Sequence, residues 1–359
     1  MGHFMTEDIN FFDLTLEDLK QRLLSWDEPQ FRAQQIWRGI YARLENHPNL
    51  LTDLPLDLRH RLTDAISFTS LHVDSIIHSK DGNTKKFLIR LSDNQKIEAV
   101  LMRFRQRRTA CISTQVGCAM NCVFCATGQM GFVRNLTAGE IVEQVILIAR
   151  EMAKEKDRLT NIVVMGMGEP FHNYQPTMQA IARLNDADGF NFGARRFTVS
   201  TIGLVPEIQR FTKEKRQVNL AVSLHAATNE LRQKLIPINK QFPLEQLFKA
   251  CRDYVHQTHR RITFEWALIH EVNDSLEQAQ ALIDLIRNLN CHINLIPMNP
   301  TRNFPGKATN QRQAEIIRDF LIARKINCTI RMRRGLGIQA GCGQLATRKK
   351  QNSLPASHD

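Results

Sequence analysis

The spacing of hydrophobic positions along the 359-residue chain changes near residue 70. Before that point apolar residues recur every three or four positions, which predicts amphipathic helices. One helix begins after Thr15, a second passes through Ile36, Ile40 and Leu44, and a third covers residues 56–66. Three stretches with period-two alternation then predict strands: LHVDSIIHS, KKFLIRL and KIEAVLMRF. Asp81-Gly82 predicts a hairpin turn between the first two strands.

A different rhythm begins near residue 109, where short apolar runs alternate with helical patterns. The runs are TACIST, NIVVMGM, RFTVSTI, VNLAVSL, RITFEWALI, HINLIPM and CTIRM. Thr137 and Glu140 predict a capping box ahead of a helix with an apolar stripe. This alternation predicts a parallel sheet, open or closed into a barrel, in which functional residues gather at the carboxyl ends of the strands.

Composition and charge narrow the class of protein. Apolar residues make up 43% and charged residues 23% of the chain, which is typical of globular proteins. No apolar run approaches the roughly 18 residues of a membrane span, and no signal peptide opens the chain, so a cytoplasmic protein without a membrane partner is expected. The net charge of +12 favours a nucleic-acid partner. A basic enzyme with a solvated surface is the alternative.

Three of the eight cysteines stand in the stretch GCAMNCVFCATG, at Cys118, Cys122 and Cys125. In a protein expected to be cytoplasmic, cysteines more often bind metals or act in catalysis than form a disulfide framework. A structural zinc site takes four ligands, usually from two CxxC-like pairs. Besides these three cysteines the sequence contains no second CxxC-like pair. Three thiolates on a four-iron cluster leave one iron free for another ligand. The spacing therefore favours an iron–sulfur cluster, with zinc as the alternative.

Several motifs together resemble one family. They are CISTQVGCAMNCVFCATGQMGFVRNLTAGEIVEQV, MGMGEP, FTVSTIGLVP, AVSLHAATNELRQKLIPINK, INLIPMNP and AGCGQL. From roughly residue 12 to 346 the sequence is similar to the RlmN branch of the RlmN/Cfr adenosine methyltransferases, which are radical S-adenosylmethionine enzymes. The resemblance implies an α/β fold with a partial (β/α)6 barrel over residues 106–346. It also implies an RNA-binding accessory domain of helices and a short antiparallel sheet over residues 1–105. Residues 347–359 are polar and are predicted to be disordered.

The resemblance also implies the cofactors. Cys118, Cys122 and Cys125 would hold one [4Fe-4S] cluster, and S-adenosylmethionine would be used twice per turnover. The first molecule would methylate a cysteine, and the second would yield a radical. The expected cofactor contacts are Gly168, Glu169, Ser200, Ser223, Leu224, His225 and Asn299. Taken singly, each of these could be a strand cap or a satisfied core group, but all of them follow or end predicted strands.

Three further residues match catalytic positions of the family. Cys342 would carry the methyl group, Cys111 would attack Cys342 and release the product as a disulfide forms, and Glu98 would remove a proton from the adduct. The residues alone leave other interpretations open. Cys342 could be a small buried cysteine in a turn, Cys111 could pack in the core, and Glu98 could be a charge on an edge strand.

The implied substrates are 23S rRNA at the peptidyl-transferase centre and tRNA beside the anticodon, each methylated at carbon 2 of adenosine. An electron donor such as flavodoxin is also implied. Phosphate contacts are expected from basic residues near the catalytic cysteines, with a solvated charged face as the alternative. These are Arg103, Arg105, Arg107, Arg108, Arg331, Arg333 and Arg334. Two other functions remain open: a Cfr-type carbon-8 methyltransferase and a non-enzymatic, zinc-containing RNA-binding protein.

Overall fold

The computed structural model describes residues 9–331 and 335–347 of the chain. The predicted tail from residue 348 onward, and Arg333 and Arg334, lie outside the described residues. The α-helices are α1 (Leu16–Leu24), α2 (Phe31–Tyr41), α3 (Leu56–Ala65), α4 (Ala126–Gln129), α5 (Ala138–Ala153), α6 (Tyr174–Asn185), α7 (Val205–Lys213), α8 (Asn229–Leu235), α9 (Leu244–Thr258), α10 (Leu276–Leu285) and α11 (Gln311–Ala323). In the described part of the chain, no helix is both long and apolar enough to cross a membrane.

The β-strands form one large sheet and two small ones. They are β1 (Ile9–Asn10), β2 (Ile66–Ser67), β3 (His72–His78), β4 (Thr84–Arg90), β5 (Lys96–Phe104), β6 (Arg107–Cys111), β7 (Gln115–Gly117), β8 (Phe132–Asn135), β9 (Asn161–Val164), β10 (Phe197–Thr201), β11 (Asn219–Ser223), β12 (Ile262–Leu268), β13 (Cys291–Pro297) and β14 (Cys328–Ile330). β1 pairs with β2, and β7 pairs with β8.

The large sheet has ten strands in the order β14-β13-β12-β11-β10-β9-β6-β5-β4-β3. From β6 to β14 every neighbouring pair is parallel. These strands follow one another in chain order, with helices in the connections, as in a (β/α) barrel rather than in a doubly wound sheet. The expected α/β fold with a partial barrel is therefore confirmed. All carboxyl ends of the parallel strands meet at one edge of the sheet.

The antiparallel strands predicted for the accessory region are part of this same sheet. β5 pairs with β6, with Val100 opposite Cys111, and β4 and β3 continue outward from β5. The boundary predicted at residue 105 falls in the turn between β5 and β6. The two strands on either side of this boundary are hydrogen-bonded to each other. The division into two domains at residue 105 stays a prediction. Pairing of β5 with β6 also places the predicted base and the predicted second catalytic cysteine in neighbouring strands.

The N-terminal helices form as the apolar spacing indicates, with one exception. Thr15 caps α1, and its partner in the capping box is Asp18. The predicted capping box of α5 is also present, and its apolar stripe is buried. The second helix, however, ends at Tyr41, so the prediction that it passes through Leu44 is wrong. Leu44 has a φ of 62°, a left-handed conformation that a helix cannot contain.

Polar contacts join the N-terminal helical module to the barrel helices. The indole N–H of Trp37 donates to Asp186 at 2.9 Å, just after α6. The backbone N–H of Gly139, in the first turn of α5, donates to the Asp13 carboxylate at 2.7 Å, and the Thr137 hydroxyl donates to the same carboxylate at 3.2 Å. An acid at a helix N-terminus accepts unpaired N–H groups and complements the helix dipole. Asp13 therefore fixes the module against α5.

Replacing Asp13 with alanine is expected to lower the free energy of unfolding by about 1–2 kcal/mol, because α5 loses an acceptor and a favourable charge at its N-terminus. Asp13→Asn keeps one acceptor oxygen and is expected to lose less. Thermal or urea unfolding of both variants measures the difference. Equal losses in the two variants would contradict the role assigned to the acceptor.

Candidate active site

The three clustered cysteines lie in the loop that connects β7 to β8. Gly117 has a φ of +75°, and a Cβ atom there would come within 1.8 Å of the Gly131 carbonyl oxygen. The backbone N–H of Cys118 donates to that same oxygen at 2.8 Å. Only glycine allows the two ends of the loop to approach so closely. The β7–β8 hairpin thus closes the loop at its base and turns the cysteines toward the strand ends.

The three thiols have the chemistry that a cluster requires. Cys118 and Cys122 are buried and Cys125 is half-buried. Burial raises the pKa of Cys118 to about 12 and that of Cys122 well above its ordinary value, and the neighbouring Cys125 adds to both shifts. Buried thiols lose their protons only at a cost in free energy, and a bound cationic metal centre offsets that cost by stabilising the thiolates. The residues present therefore fit an iron–sulfur cluster.

Geometry places the three cysteines on the wall of one cavity, together with residues from several strand ends. Among the described residues, no three His, Cys, Asp or Glu side chains converge in the way that ligands of one metal ion do. Thiolates that hold a four-iron cluster each bind a different iron, so they need not converge on a single point.

The cavity beside the cysteines holds about 1050 Å³, including the part open to solvent. Pockets for ligands and cofactors commonly reach this size. Six of the seven predicted cofactor contacts line it: Gly168, Glu169, Ser200, Ser223, His225 and Asn299. Leu224 does not line the cavity. It is buried behind the wall, with its backbone N–H donating to the Glu265 carbonyl at 3.0 Å. These assignments stay predictions, but the strand ends bring the six together.

Glu169 joins the ends of two neighbouring strands. Its carboxylate accepts the backbone N–H of Phe171 at 2.9 Å and that of Ile202 at 2.8 Å. The preceding Gly168 has a φ of +100°, and a Cβ there would come within 2.5 Å of Gln115. Burial raises the pKa of Glu169 to about 7. The carboxyl group is thus fixed in position and would be returned to its ionised form by a cationic ligand.

Two other polar groups on the cavity wall have defined states. The Nδ1 atom of His225 accepts the Ala267 N–H at 2.8 Å, and burial lowers the pKa of His225 to about 3. His225 is therefore neutral, with its hydrogen on Nε2. The Nδ2 atom of Asn299 donates to the Cys342 carbonyl at 3.0 Å, whereas its buried Oδ1 has no hydrogen-bond partner among the described residues. An unpaired buried acceptor on a cavity wall fits a ligand that donates hydrogen bonds.

Cys342 lies where this cavity meets a smaller one. The smaller cavity is lined by Cys111, Cys342 and Arg331 among others, and Cys342 lines both cavities. Its side chain is exposed to that open space. The Nη1 atom of Arg331 lies 4.0 Å from the Cys342 sulfur. Burial raises the pKa of Cys111 to about 12, while Arg331 opposes that shift.

The segment that carries Cys342 is tied to the cluster loop. The N–H of Ala126 donates to the Gly343 carbonyl and the Thr127 hydroxyl donates to the Leu345 carbonyl, each at 2.7 Å. Glu98, buried on β5, accepts the Ala346 N–H at 3.0 Å. The three predicted catalytic residues therefore all adjoin one segment, residues 339–346. The interpretation of Glu98 as an edge-strand charge does not fit, because β5 lies between β4 and β6.

Sequence reasoning missed three charged residues at this site. Glu265, on β12, lines the cofactor cavity with its buried Oε2 lacking a hydrogen bond among the described residues. An acid inside the apolar run RITFEWALI was the available signal. Lys86 forms an ion pair with Glu98 at 2.8 Å. Arg232 is fully buried and donates hydrogen bonds to carbonyls at two strand ends. Nothing in the sequence around Arg232 indicates that it is buried.

The basic residues proposed for phosphate contact fall into separate groups. Arg331 faces the smaller cavity rather than the surrounding solvent. Arg103 pairs with Glu155, and Arg108 pairs with Asp157. Arg105, in the β5–β6 turn, and Arg107, the first residue of β6, are exposed, and in the described part of the chain neither forms an ion pair. They lie at the end of β6 opposite the cavity.

Comparisons with known proteins agree with this site. Residues 112–286 match the radical SAM superfamily, and residues 9–67 match the ribosomal RNA large subunit methyltransferase N-terminal domain. A crystal structure of a radical SAM methyltransferase from Sphaerobacter thermophilus superimposes with a TM-score of 0.92 at 48% identity, covering 94% of this chain and 99% of that one. Fold and site thus define a radical SAM enzyme, a class that uses S-adenosylmethionine and a [4Fe-4S] cluster.

Relatives identify the family within this class. A probable dual-specificity RNA methyltransferase RlmN from Chloroflexus aurantiacus is 44% identical, covering 96% of this chain and 95% of the relative. Dual-specificity RNA methyltransferase RlmN 1 from Myxococcus xanthus is also 44% identical, with coverage of 97% and 98%. The chain belongs to the RlmN family of RNA methyltransferases.

Exchanging Glu169 for glutamine should weaken binding of S-adenosylmethionine by about tenfold or more, because the site loses a charge and one of two backbone acceptors. Equilibrium dialysis with the cluster-loaded protein under anaerobic conditions measures the affinity. Glu230→Gln is the control, since Glu230 is exposed and, in the described part of the chain, pairs with Lys234 on α8. Equal affinity in the wild type and Glu169→Gln would contradict a role for this carboxylate.

Proposed function

We propose that this enzyme methylates carbon 2 of adenosine in 23S rRNA and in tRNA, through a methylated Cys342. The observation that carries the proposal is the position of Cys342, which lines both the cofactor cavity and the cavity of Cys111. A cysteine placed there can receive a methyl group on one side and meet a second thiol on the other. The printed names of the relatives, dual-specificity RNA methyltransferase, support the choice of substrates.

Carbon 2 of adenine is electron-poor, so it cannot displace a methyl group from a sulfonium as a nucleophile does. Radical addition avoids this difficulty. When bound, the cluster and S-adenosylmethionine supply a methyl group and a 5′-deoxyadenosyl radical. We infer two S-adenosylmethionine molecules per turnover, because methyl donation to Cys342 and radical formation each consume one.

The chain's own residues complete the reaction. Cys342 accepts the methyl group, loses a hydrogen atom from it, and joins adenine through the resulting carbon. Glu98 then accepts the proton that leaves carbon 2. Cys111 attacks the Cys342 sulfur, so that an S–S bond forms as the bond between that sulfur and the methylene carbon breaks. The released carbon takes up a proton to become the methyl group, and the unpaired electron of the adduct would be taken up by the bound cluster. Such a transient disulfide is compatible with a reducing compartment. A cytoplasmic location and an electron donor such as flavodoxin stay predictions.

The alternatives have less support. Relatives that cover nearly the whole chain carry the RlmN name, which favours carbon 2 over the carbon-8 chemistry of Cfr-type enzymes. A non-enzymatic zinc protein would leave the cavity that Cys111 and Cys342 share without a role.

Nucleoside mass spectrometry after anaerobic reconstitution tests the proposal on both RNAs. The wild type is expected to yield 2-methyladenosine, Cys342→Ala to yield none, and Cys111→Ala to leave a covalent protein–RNA adduct. Cys251→Ala is the matched control, because Cys251 is buried in α9, away from both cavities. Production of 8-methyladenosine, or methylation by Cys342→Ala, would overturn the proposal.

Simultaneous replacement of Arg105 and Arg107 with alanine is expected to lower the slope of log affinity for RNA against log salt by about one to two, because each phosphate contact contributes a slope near one. Affinity is measured at several salt concentrations. Arg287→Ala is the control, since Arg287 pairs with Asp284 on α10. An unchanged slope would assign Arg105 and Arg107 to a solvated face.

A further inference from the structure

A buried ion pair lies behind the segment that carries Cys342. The Nζ atom of Lys86, on β4, lies 2.8 Å from Oε1 of Glu98, on the neighbouring strand β5. Only 8% of the Lys86 side chain and 6% of the Glu98 side chain are exposed. Removing one partner of such a pair takes the nearby counter-charge from the other buried group, which is costly. Lys86 therefore contributes to the charge environment of Glu98.

Both members of the pair also contact the chain on either side of Cys342. Lys86 donates to the Gln339 carbonyl at 3.4 Å, and Glu98 accepts the Ala346 N–H at 3.0 Å. One contact precedes Cys342 by three residues, and the other follows it by four. The ion pair thus holds residues 339–346 at both ends, while Cys342 in the middle faces the cofactor cavity.

We propose that Lys86 and Glu98 form a latch that holds residues 339–346 in the cofactor cavity and releases them when Glu98 accepts a proton. Lys86 is a positioning residue in this latch, because it acts through Glu98 and the segment. The proposal rests on the proposed function, in which Glu98 is the base and Cys342 carries the methyl group.

The physical basis of the release is the charge of Glu98. Hydrogen bonds in which donor or acceptor is ionised are roughly twice as strong as neutral ones. Ionised Glu98 accepts such bonds from the Lys86 ammonium and from the Ala346 N–H. The proton that leaves carbon 2 converts this carboxylate into a neutral acid and weakens both bonds. The segment is then freed at the stage when Cys111 must reach the Cys342 sulfur, so base catalysis and product release are coupled.

The neighbouring lysine provides a matched control. Lys85 adjoins Lys86 on β4 and is equally buried, with 8% of its side chain exposed. It pairs with Glu151 and Glu155 in and beside α5, on the other face of the sheet. Replacing Lys85 therefore also breaks a partly buried ion pair, but one without a contact to residues 339–346.

Hydrogen–deuterium exchange of the cluster-loaded enzyme tests the latch without RNA. In Lys86→Met, peptides covering residues 339–346 are expected to exchange about tenfold faster than in the wild type, since the loss of a charge-assisted hydrogen bond changes an opening equilibrium by about that factor. Lys86→Arg keeps the charge and is expected to restore most of the protection. Lys85→Met should leave these peptides as slow as in the wild type. Equal exchange of the segment in Lys86→Met and the wild type would overturn the proposal.

A second variant keeps the test decisive if Lys86→Met does not fold. Glu98→Gln retains an acceptor for Ala346 but removes the charge, so residues 339–346 are expected to exchange severalfold faster, whereas peptides of α5 should be unchanged. Unchanged exchange of the segment in Glu98→Gln would overturn the role of charge. These readouts are independent of the proposed function. An enzyme that makes no 2-methyladenosine but shows the exchange differences refutes only the proposed function.

Discussion

The hydrogen bond between the Ala126 N–H and the Gly343 carbonyl is the contact on which the arrangement of the active site depends. Ala126 begins the short helix α4 directly after Cys125, where unpaired N–H groups are available. The donor therefore belongs to the loop of the three clustered cysteines, and the acceptor adjoins Cys342, the proposed methyl carrier. A C-terminal segment remote in sequence is thereby set at a fixed place beside the cofactor cavity. Together with the Thr127–Leu345 hydrogen bond, this contact gives the three cluster cysteines and Cys342 a common frame.

A second constraint is the buried guanidinium of Arg232, which fixes the strand ends that form the opposite wall of the cavity. It donates to the carbonyls of Leu224 and Ile202 and to the side chain of Asn239. Burial lowers the pKa of Arg232 to about 10, so it remains charged near neutral pH. Because its donors bridge the segments that follow β10 and β11, the serines and the histidine at these strand ends are positioned before any ligand binds. Leu224 belongs to this support rather than to the cavity surface, because its carbonyl accepts a hydrogen bond from Arg232 and its side chain is buried.

The parts of this structure that sequence could predict are those fixed by local physics. Thr15 and Thr137 have the residues around them that a capping box requires, and both helices begin where predicted. Apolar runs separated by helices predicted a parallel sheet, because strands joined through helices pair in parallel. Leu44 was assigned wrongly because hydrophobic spacing continues past the end of α2, where the backbone turns left-handed. Six of the seven predicted cofactor contacts line one cavity because they lie at the carboxyl ends of neighbouring parallel strands.

Other features depend on contacts between distant parts of the chain, and no local pattern encodes them. The continuity of β3 to β6 with the barrel sheet depends on which edge β5 pairs with. The basic sequence neighbours of Arg331 favour a surface position, yet Arg331, directly after β14, lies 4.0 Å from the Cys342 sulfur and 4.0 Å from the Glu265 carboxylate. Lys86 follows Lys85 in the same strand. The sequence of the two lysines does not indicate that Lys86 pairs with Glu98 whereas Lys85 pairs with Glu151 of α5.

Two buried acceptors on the cavity wall, one of them 4.0 Å from the Arg331 guanidinium, suit a cationic ligand that donates hydrogen bonds. Asn299 and Glu265 each present a buried oxygen without a hydrogen bond in the described part of the chain, and burial raises the pKa of Glu265. Leaving these oxygens unsatisfied costs free energy, so a ligand that donates hydrogen bonds removes that cost on binding. S-adenosylmethionine carries a sulfonium, an ammonium and ribose hydroxyls, which are donors or positive charges. Its arrival would lower the pKa of Glu265 and of Glu169, because a nearby positive charge favours the carboxylate. Part of the binding free energy would therefore come from acceptors that the fold has buried in advance.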